Sequence, residues 1–163
     1  MKCAFTITGN ARIAGGAANN DGAAKILVHQ AEDSFTITGT DGTTDSVNYG
    51  DGASDTAKSV AAEVNARTGI TGVTATAVTN MLIDTSGNGE QFSLASGYDN
   101  ATYTAVTGAS SVADLVANIN AVTGTTGITA KDSGTTNKIL LTHATGEHIK
   151  VQNTHGSNSL VLS

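Results

Sequence analysis

The stretch Asp55-Thr-Ala-Lys-Ser-Val-Ala-Ala-Glu-Val-Asn-Ala-Arg-Thr-Gly-Ile-Thr-Gly-Val-Thr-Ala75 recurs, without a gap, as Ser110-Ser-Val-Ala-Asp-Leu-Val-Ala-Asn-Ile-Asn-Ala-Val-Thr-Gly-Thr-Thr-Gly-Ile-Thr-Ala130. Asn65-Ala66 returns as Asn120-Ala121, Thr68-Gly69 as Thr123-Gly124, Thr71-Gly72 as Thr126-Gly127, and Thr74-Ala75 as Thr129-Ala130. At apolar positions the copies differ conservatively: Val60, Val64 and Val73 stand opposite Leu115, Ile119 and Ile128. A duplication of this kind means that the chain is built from repeated supersecondary units.

Each copy reads as a short helix leading into strands. Ala57, Val60, Ala61 and Val64 share one helical face, as do Val112, Leu115, Val116 and Ile119. Ser54 or Asp55 is the expected first N-cap, and Ser111 with Asp114 has the spacing of a capping box. Gly69 and Gly124 are expected to end the helices in the left-handed conformation. A helix with a single apolar face must lie on a sheet. Alternating strands are expected at 34–38 and 45–49, punctuated by Asp41-Gly42 and Asp51-Gly52. Further strands are expected at 72–78, 81–83 and 91–94 in the first unit, and at 127–130, 138–142 and 148–151 in the second.

The correspondence continues after a two-residue shift, with Gly89-Glu-Gln-Phe-Ser-Leu94 opposite Gly146-Glu-His-Ile-Lys-Val151. Upstream, Phe5-Thr-Ile-Thr-Gly9 recurs at Phe35-Thr-Ile-Thr-Gly39, and Lys25-Ile-Leu27 at Lys138-Ile-Leu140. The predicted fold is therefore α+β, mainly β: tandem β-rich units, each with one short helix packed on a sheet. Residues 1–34 form a partial, hairpin-like β unit, 35–95 the first repeat and 96–163 the second. Val60, Val64, Leu115, Val116 and Ile119 are the expected core positions.

Composition narrows the function. Aromatic residues make up 4% of the 163 positions and Trp is absent, so the core must come from Val, Ile, Leu and Ala. The absence of Pro excludes collagen-like and proline-rich recognition segments. A formal charge of −6 argues against nucleic acid and anionic membrane partners, which call for a basic patch. The longest apolar runs are far too short to span a bilayer, and the start of the chain lacks the apolar core of a signal peptide. Cys3 is the single cysteine, so neither an intrachain disulfide nor a multi-Cys metal site can form.

No catalytic or cofactor-binding residue is assigned. The acidic residues, such as Asp41, Asp51, Asp99 and Asp132, sit in turn contexts, where turn formation accounts for them better than paired acid–base chemistry. His143, His148 and His155 lack the matched spacing of a zinc site, and His29 has no neighbour in sequence that would join it. The oxygen-rich turns at 19–22, 41–45 and 51–55 lack the EF-hand arrangement of acids. No metal ligand and no cofactor are therefore expected. A nucleophile elbow, a P-loop and a dinucleotide fingerprint are all absent. Asn65 and Asn120, at the same place near a helix end, are expected to bond backbone of the following turn. Ser/Thr-dense loops at 142–145 and 154–159, and the sequon Asn100-Ala-Thr102, are candidate glycosylation positions.

The helix with Val64-Asn65 or Ile119-Asn120 near its end, followed by Gly-Val-Thr-Ala75 or Gly-Ile-Thr-Ala130, resembles the flagellin hook IN motif. The resemblance covers residues 35–151. It implies a non-catalytic structural surface module: the outer, variable domain of a flagellin-like filament protein in bacterial motility. Domains of hook-associated or filament cap proteins carry the same motif. A glycan- or cell-binding domain of a surface or phage tail fibre is the remaining alternative. Neither end shows the heptad-like helices that build a filament core, so the resemblance implies an outer region of a longer protein. It implies an extracellular place on the bacterial flagellum, reached without a cleaved signal peptide. The implied partners are neighbouring copies of the parent protein in a filament or ring, and a host receptor or glycan. The outer domains of such proteins are often O-glycosylated.

Overall fold

The computed structural model describes residues 3–9, 11–14, 33–39, 43–49, 56–85, 91–97, 102–154 and 161–162. In chain order the elements are β1 (Cys3–Gly9), β2 (Ala11–Ala14), β3 (Asp33–Thr38), β4 (Thr44–Tyr49), α1 (Ala57–Ala66), α2 (Thr68–Thr71), β5 (Val73–Asp84) and β6 (Phe92–Ser96). They continue with β7 (Thr104–Val106), α3 (Val112–Ala121), α4 (Thr123–Thr126), β8 (Ile128–Asp132), β9 (Lys138–His143), β10 (Ile149–Asn153) and β11 (Val161–Leu162). The fold is α+β and mainly β. Each repeat adds to its expected helix a second, single-turn helix, α2 or α4.

The duplicated stretch folds twice in the same way. Thr56 caps α1 in a full capping box with Ser59. Position 56 therefore holds the cap expected at Ser54 or Asp55, and both of those lie outside the described residues. Ser111 caps α3, accepting from the Asp114 amide and donating to Asp114 Oδ2. Gly69 and Gly124 do not end the helices. The main helices break at Arg67 and Val122, and the chain takes one more helical turn. The left-handed stop falls at Gly72 (φ 68°) and Gly127 (φ 69°), where absence of a Cβ removes the steric penalty.

After that point the repeats diverge. In the second, the chain folds back between β8 and β9. Asp132 Oδ1 accepts from the Gly134 amide at 2.8 Å, and Asn137 adopts φ 57°. The first repeat has only Thr76-Ala-Val-Thr-Asn80 between Ala75 and Met81, with no turn residue to match Asp132-Ser-Gly134. It runs on as the single strand β5, not the two strands expected. The first half of β5 pairs in parallel with β1, and its second half pairs antiparallel with β9.

One sheet has the order β1-β5-β9-β8, with β11 also on β5; a second has the order β2-β10-β6-β7; β3 and β4 form a separate hairpin. The hairpin expected within 1–34 is not formed by β1 and β2. Only position 10 separates them, too little for strands to fold back upon each other, and they enter different sheets, each parallel to its partner. The part of 1–34 that falls at 15–32, including Lys25-Ile-Leu27, lies outside the described residues.

Two apolar cores result. The smaller holds Ile37, Val47, Ala61, Val64, Val73 and Ala75. The larger gathers Leu115 and Ile119 from α3, Ile128 from β8, Ile139 and Leu141 from β9, and Ile149 and Val151 from β10. It also takes Met81 and Ile83 from the far half of β5, and Phe92 and Leu94 from β6. Residues of the first repeat thus complete the core of the second, across the boundary expected at position 95. The unbroken run of β5 is the physical cause, because it carries its apolar positions from one core to the other. Val64, Leu115 and Ile119 are buried as expected, whereas Val60 and Val116 are half-buried.

Candidate functional site

The polar residues shared by the repeats act on the fold itself. Asn65 Nδ2 donates to Ala75 O at 2.9 Å, and its Oδ1 accepts from the Ala75 amide at 2.8 Å. Asn120 makes the same pair with Ala130, at 3.0 and 2.8 Å. The amide takes the place of a neighbouring strand, satisfying backbone groups on the side of β5 or β8 that β1 or β9 leaves open. Its partner is the strand ten residues on, not the adjacent turn expected from sequence.

The threonines repeat this logic. Thr68 and Thr123 hydroxyls donate to Val73 and Ile128 carbonyls at 2.7 Å. Thr71 and Thr126 hydroxyls donate to Arg67 and Val122 carbonyls and accept from the Val73 and Ile128 amides. Among the described residues, only the first repeat has a charged tie at this corner. Arg67 Nη1 donates to both Glu63 O and Glu63 Oε2 at 2.7 Å, and its Nε lies 3.7 Å from Asp45 Oδ2 on β4.

Between the two cores lies a joint that no sequence pattern marked. The turn after β9 (Ala144-Thr145-Gly146-Glu147) rests on the first turn of α1. Gly146 O accepts from the Lys58 amide at 3.2 Å, and Lys58 Nζ pairs with Glu147 Oε1 at 2.9 Å. Gly146 is buried, and a Cβ there would collide with Ala77 and press on the Lys58 amide. The turn therefore lies flush against both α1 and β5. At its root, His143 is buried, 7% exposed, and pairs across the sheet with Thr79 on one side and Ile128 on the other. Its Nδ1 accepts from the Glu147 amide at 3.4 Å and lies 3.2 Å from Thr145 Oγ1. Burial pushes its pKa below the ordinary 6.5, against the pull of Glu147 and with a smaller push from Lys58. The hydroxyl of Thr79, opposite the ring, is fully buried and has no hydrogen-bond partner among the described residues. Beside the joint, a shallow groove of about 340 Å³ opens between α1, β5 and the turn, walled by Ala61, Ala62, Ala77 and Thr145 with Lys58 and Asn65 at its polar edge.

The other sequence candidates stay dispersed. His148 is half-buried just ahead of β10, while His29 and His155 lie outside the described residues. Among the described residues no three His, Cys, Asp or Glu side chains gather as metal ligands. Asp132 forms a turn, as expected, whereas Asp41, Asp51 and Asp99 and the turns at 19–22 and 51–55 lie outside the described residues. Asp45, from the turn at 41–45, faces Arg67. Asn100 of the sequon lies outside the described residues, as do 155–159 of the second Ser/Thr-dense loop. Within the first, Ala144 and Thr145 are exposed. No helix among the described residues is long and apolar enough to cross a membrane. In comparisons with known proteins, no family model matches the chain and no curated protein matches it with significance.

Proposed function

We propose that this chain is a non-catalytic structural surface module, the outer domain of a flagellin-like filament protein in bacterial motility. One observation carries the reading. The residues that define the duplicated motif (Asn65, Thr68 and Thr71, and Asn120, Thr123 and Thr126) use their side chains to lock helix to strand within their own repeat. Polar groups bonded to their own backbone stiffen a scaffold and leave little with which to grip a substrate. Rigidity of this kind suits a module that stands on the outside of a filament. The net acidic charge keeps such a surface soluble when many copies stand side by side. Its partners in this reading are neighbouring copies of the parent protein, and the module is extracellular.

The test is immunogold electron microscopy on cells that produce the protein, with antibody raised against this chain. Gold along the whole length of flagellar filaments is the expected result. Gold confined to filament tips or to the hook junction would move the reading to a cap or hook-associated protein. Gold on the cell body with bare filaments would overturn it.

A further inference from the structure

We propose that His143 and the turn it roots form a pH-sensitive latch between the two cores: the neutral imidazole holds the turn closed on α1, and the imidazolium releases it. The geometry starts with hydrogen-bond polarity. The Glu147 amide can only donate, so the Nδ1 it faces must present a lone pair, and the proton of the neutral ring sits on Nε2. Protonation would set an N–H against the Glu147 N–H and make Nδ1 a donor to Thr145 Oγ1, so the ring would keep its bond to Thr145 and lose the one to Glu147. The ring has little room to turn away. It is held between Thr79 and Ile128 on neighbouring strands, and Gly127 packs so closely that a Cβ there would come within 2.6 Å of Nε2.

The surroundings favour the neutral form. Two charged groups act on the ring, Glu147 from the turn and Lys58 from α1, with opposite effects. Thr79 from β5, and Gly127 and Ile128 at the start of β8, carry no titrating group. Burial decides the balance.

What the ring holds is the joint itself. The carbonyl of Gly146 that receives the Lys58 amide lies between His143 and Glu147, and the Gly146 amide in turn donates to His143 O. The Lys58–Glu147 ion pair, with side chains 56% and 24% exposed, is too hydrated to keep the turn closed alone. Loss of the His143–Glu147 bond therefore loosens the turn on α1, so that it opens more often, while both cores remain packed. In acid the turn would leave the first turn of α1, and at neutral pH it would stay seated there.

Amide hydrogen exchange by NMR on the intact chain tests this, run from about pH 7.5 to about pH 5 with exchange corrected for its intrinsic pH dependence. The ring-proton shifts of His143 are followed in the same samples. The expected result is a titration midpoint below 6.5. Protection at Lys58, Gly146 and Glu147 should fall about tenfold through that midpoint, with Ile139 and Leu141 unchanged. His143→Gln, whose amide stays neutral across this range, should show no such fall. A midpoint at or above 6.5, steady protection of the three amides through the titration, or an unchanged loss in His143→Gln would each overturn the proposal. The wild-type titration decides by itself if the variant does not fold.

Discussion

Gly72 and Gly127 offer a comparison that the duplication has built into the molecule. Both end a single-turn helix with nearly the same backbone, φ 68° and 69°. Among the described residues a Cβ at Gly72 would meet nothing within 4 Å, whereas one at Gly127 would stand 2.6 Å from His143 Nε2 and 3.2 Å from its Cδ2. Gly72→Ala therefore carries only the left-handed backbone penalty, about 1–2 kcal/mol. Gly127→Ala carries the same penalty plus the displacement of a buried ring, and overpacking of that kind adds about 1–3 kcal/mol. For a chain of this size 1 kcal/mol corresponds to roughly 2–4 °C in Tm. The first variant should lose a few degrees and the second about twice as much. Calorimetric melting of both, with the cycle completed in a His143→Ala background, isolates the contact. There the Gly127→Ala loss should shrink to that of Gly72→Ala. Equal losses in the wild-type background would mean that the ring moves aside freely, and the picture of a tightly held His143 would be wrong.

Three further expectations follow from the same contacts. Asn120→Ala removes two hydrogen bonds from the outer side of β8 and should cost about 1–3 kcal/mol in urea denaturation, with Asn65→Ala similar; a loss at one site alone would show that the two clamps are not equivalent. Leu115→Asp buries an unpaired carboxylate in the larger core and should abolish its cooperative melting, while Val116→Asp, half exposed, should only lower Tm; an unchanged melting curve for Leu115→Asp would refute the core assignment. Because the folded state lowers the pKa of His143, its contribution to stability is complete above the unfolded value of 6.5 and is lost as pH falls through the lower folded value. The urea midpoint should therefore drop between neutral and mildly acidic pH, and His143→Gln should reduce that drop.

Local rules were enough to read the repeat, its two helices and most of its strands from the residues. The apolar spacing of Ala57, Ala61 and Val64, and of Leu115 and Ile119, reports a helix face directly, since 3.6-residue periodicity is a property of contiguous sequence. The Ser111–Asp114 cap and the Asp132 turn are equally local. The helix stops were misplaced by one turn because Thr71 and Thr126 extend the helical path by bonding back to Arg67 and Val122, an arrangement in which either glycine of Thr-Gly-x-Thr-Gly could take the left-handed position.

Tertiary structure decided what depends on distant segments meeting. Asn65 and Asn120 were visible as a matched pair, but their target was not, because the strand edge they cover exists only once β5 and β8 have found their other partners. The unbroken course of β5 sends Met81 and Ile83 into the larger core, and the identical Phe-Thr-Ile-Thr-Gly segments enter a parallel pair at β1 and an antiparallel hairpin at β3. The joint of His143, Gly146 and Glu147 with Lys58 spans 89 positions of chain at its ion pair. Such contacts arise from how helices and sheets stack, and periodicity and spacing carry no record of that.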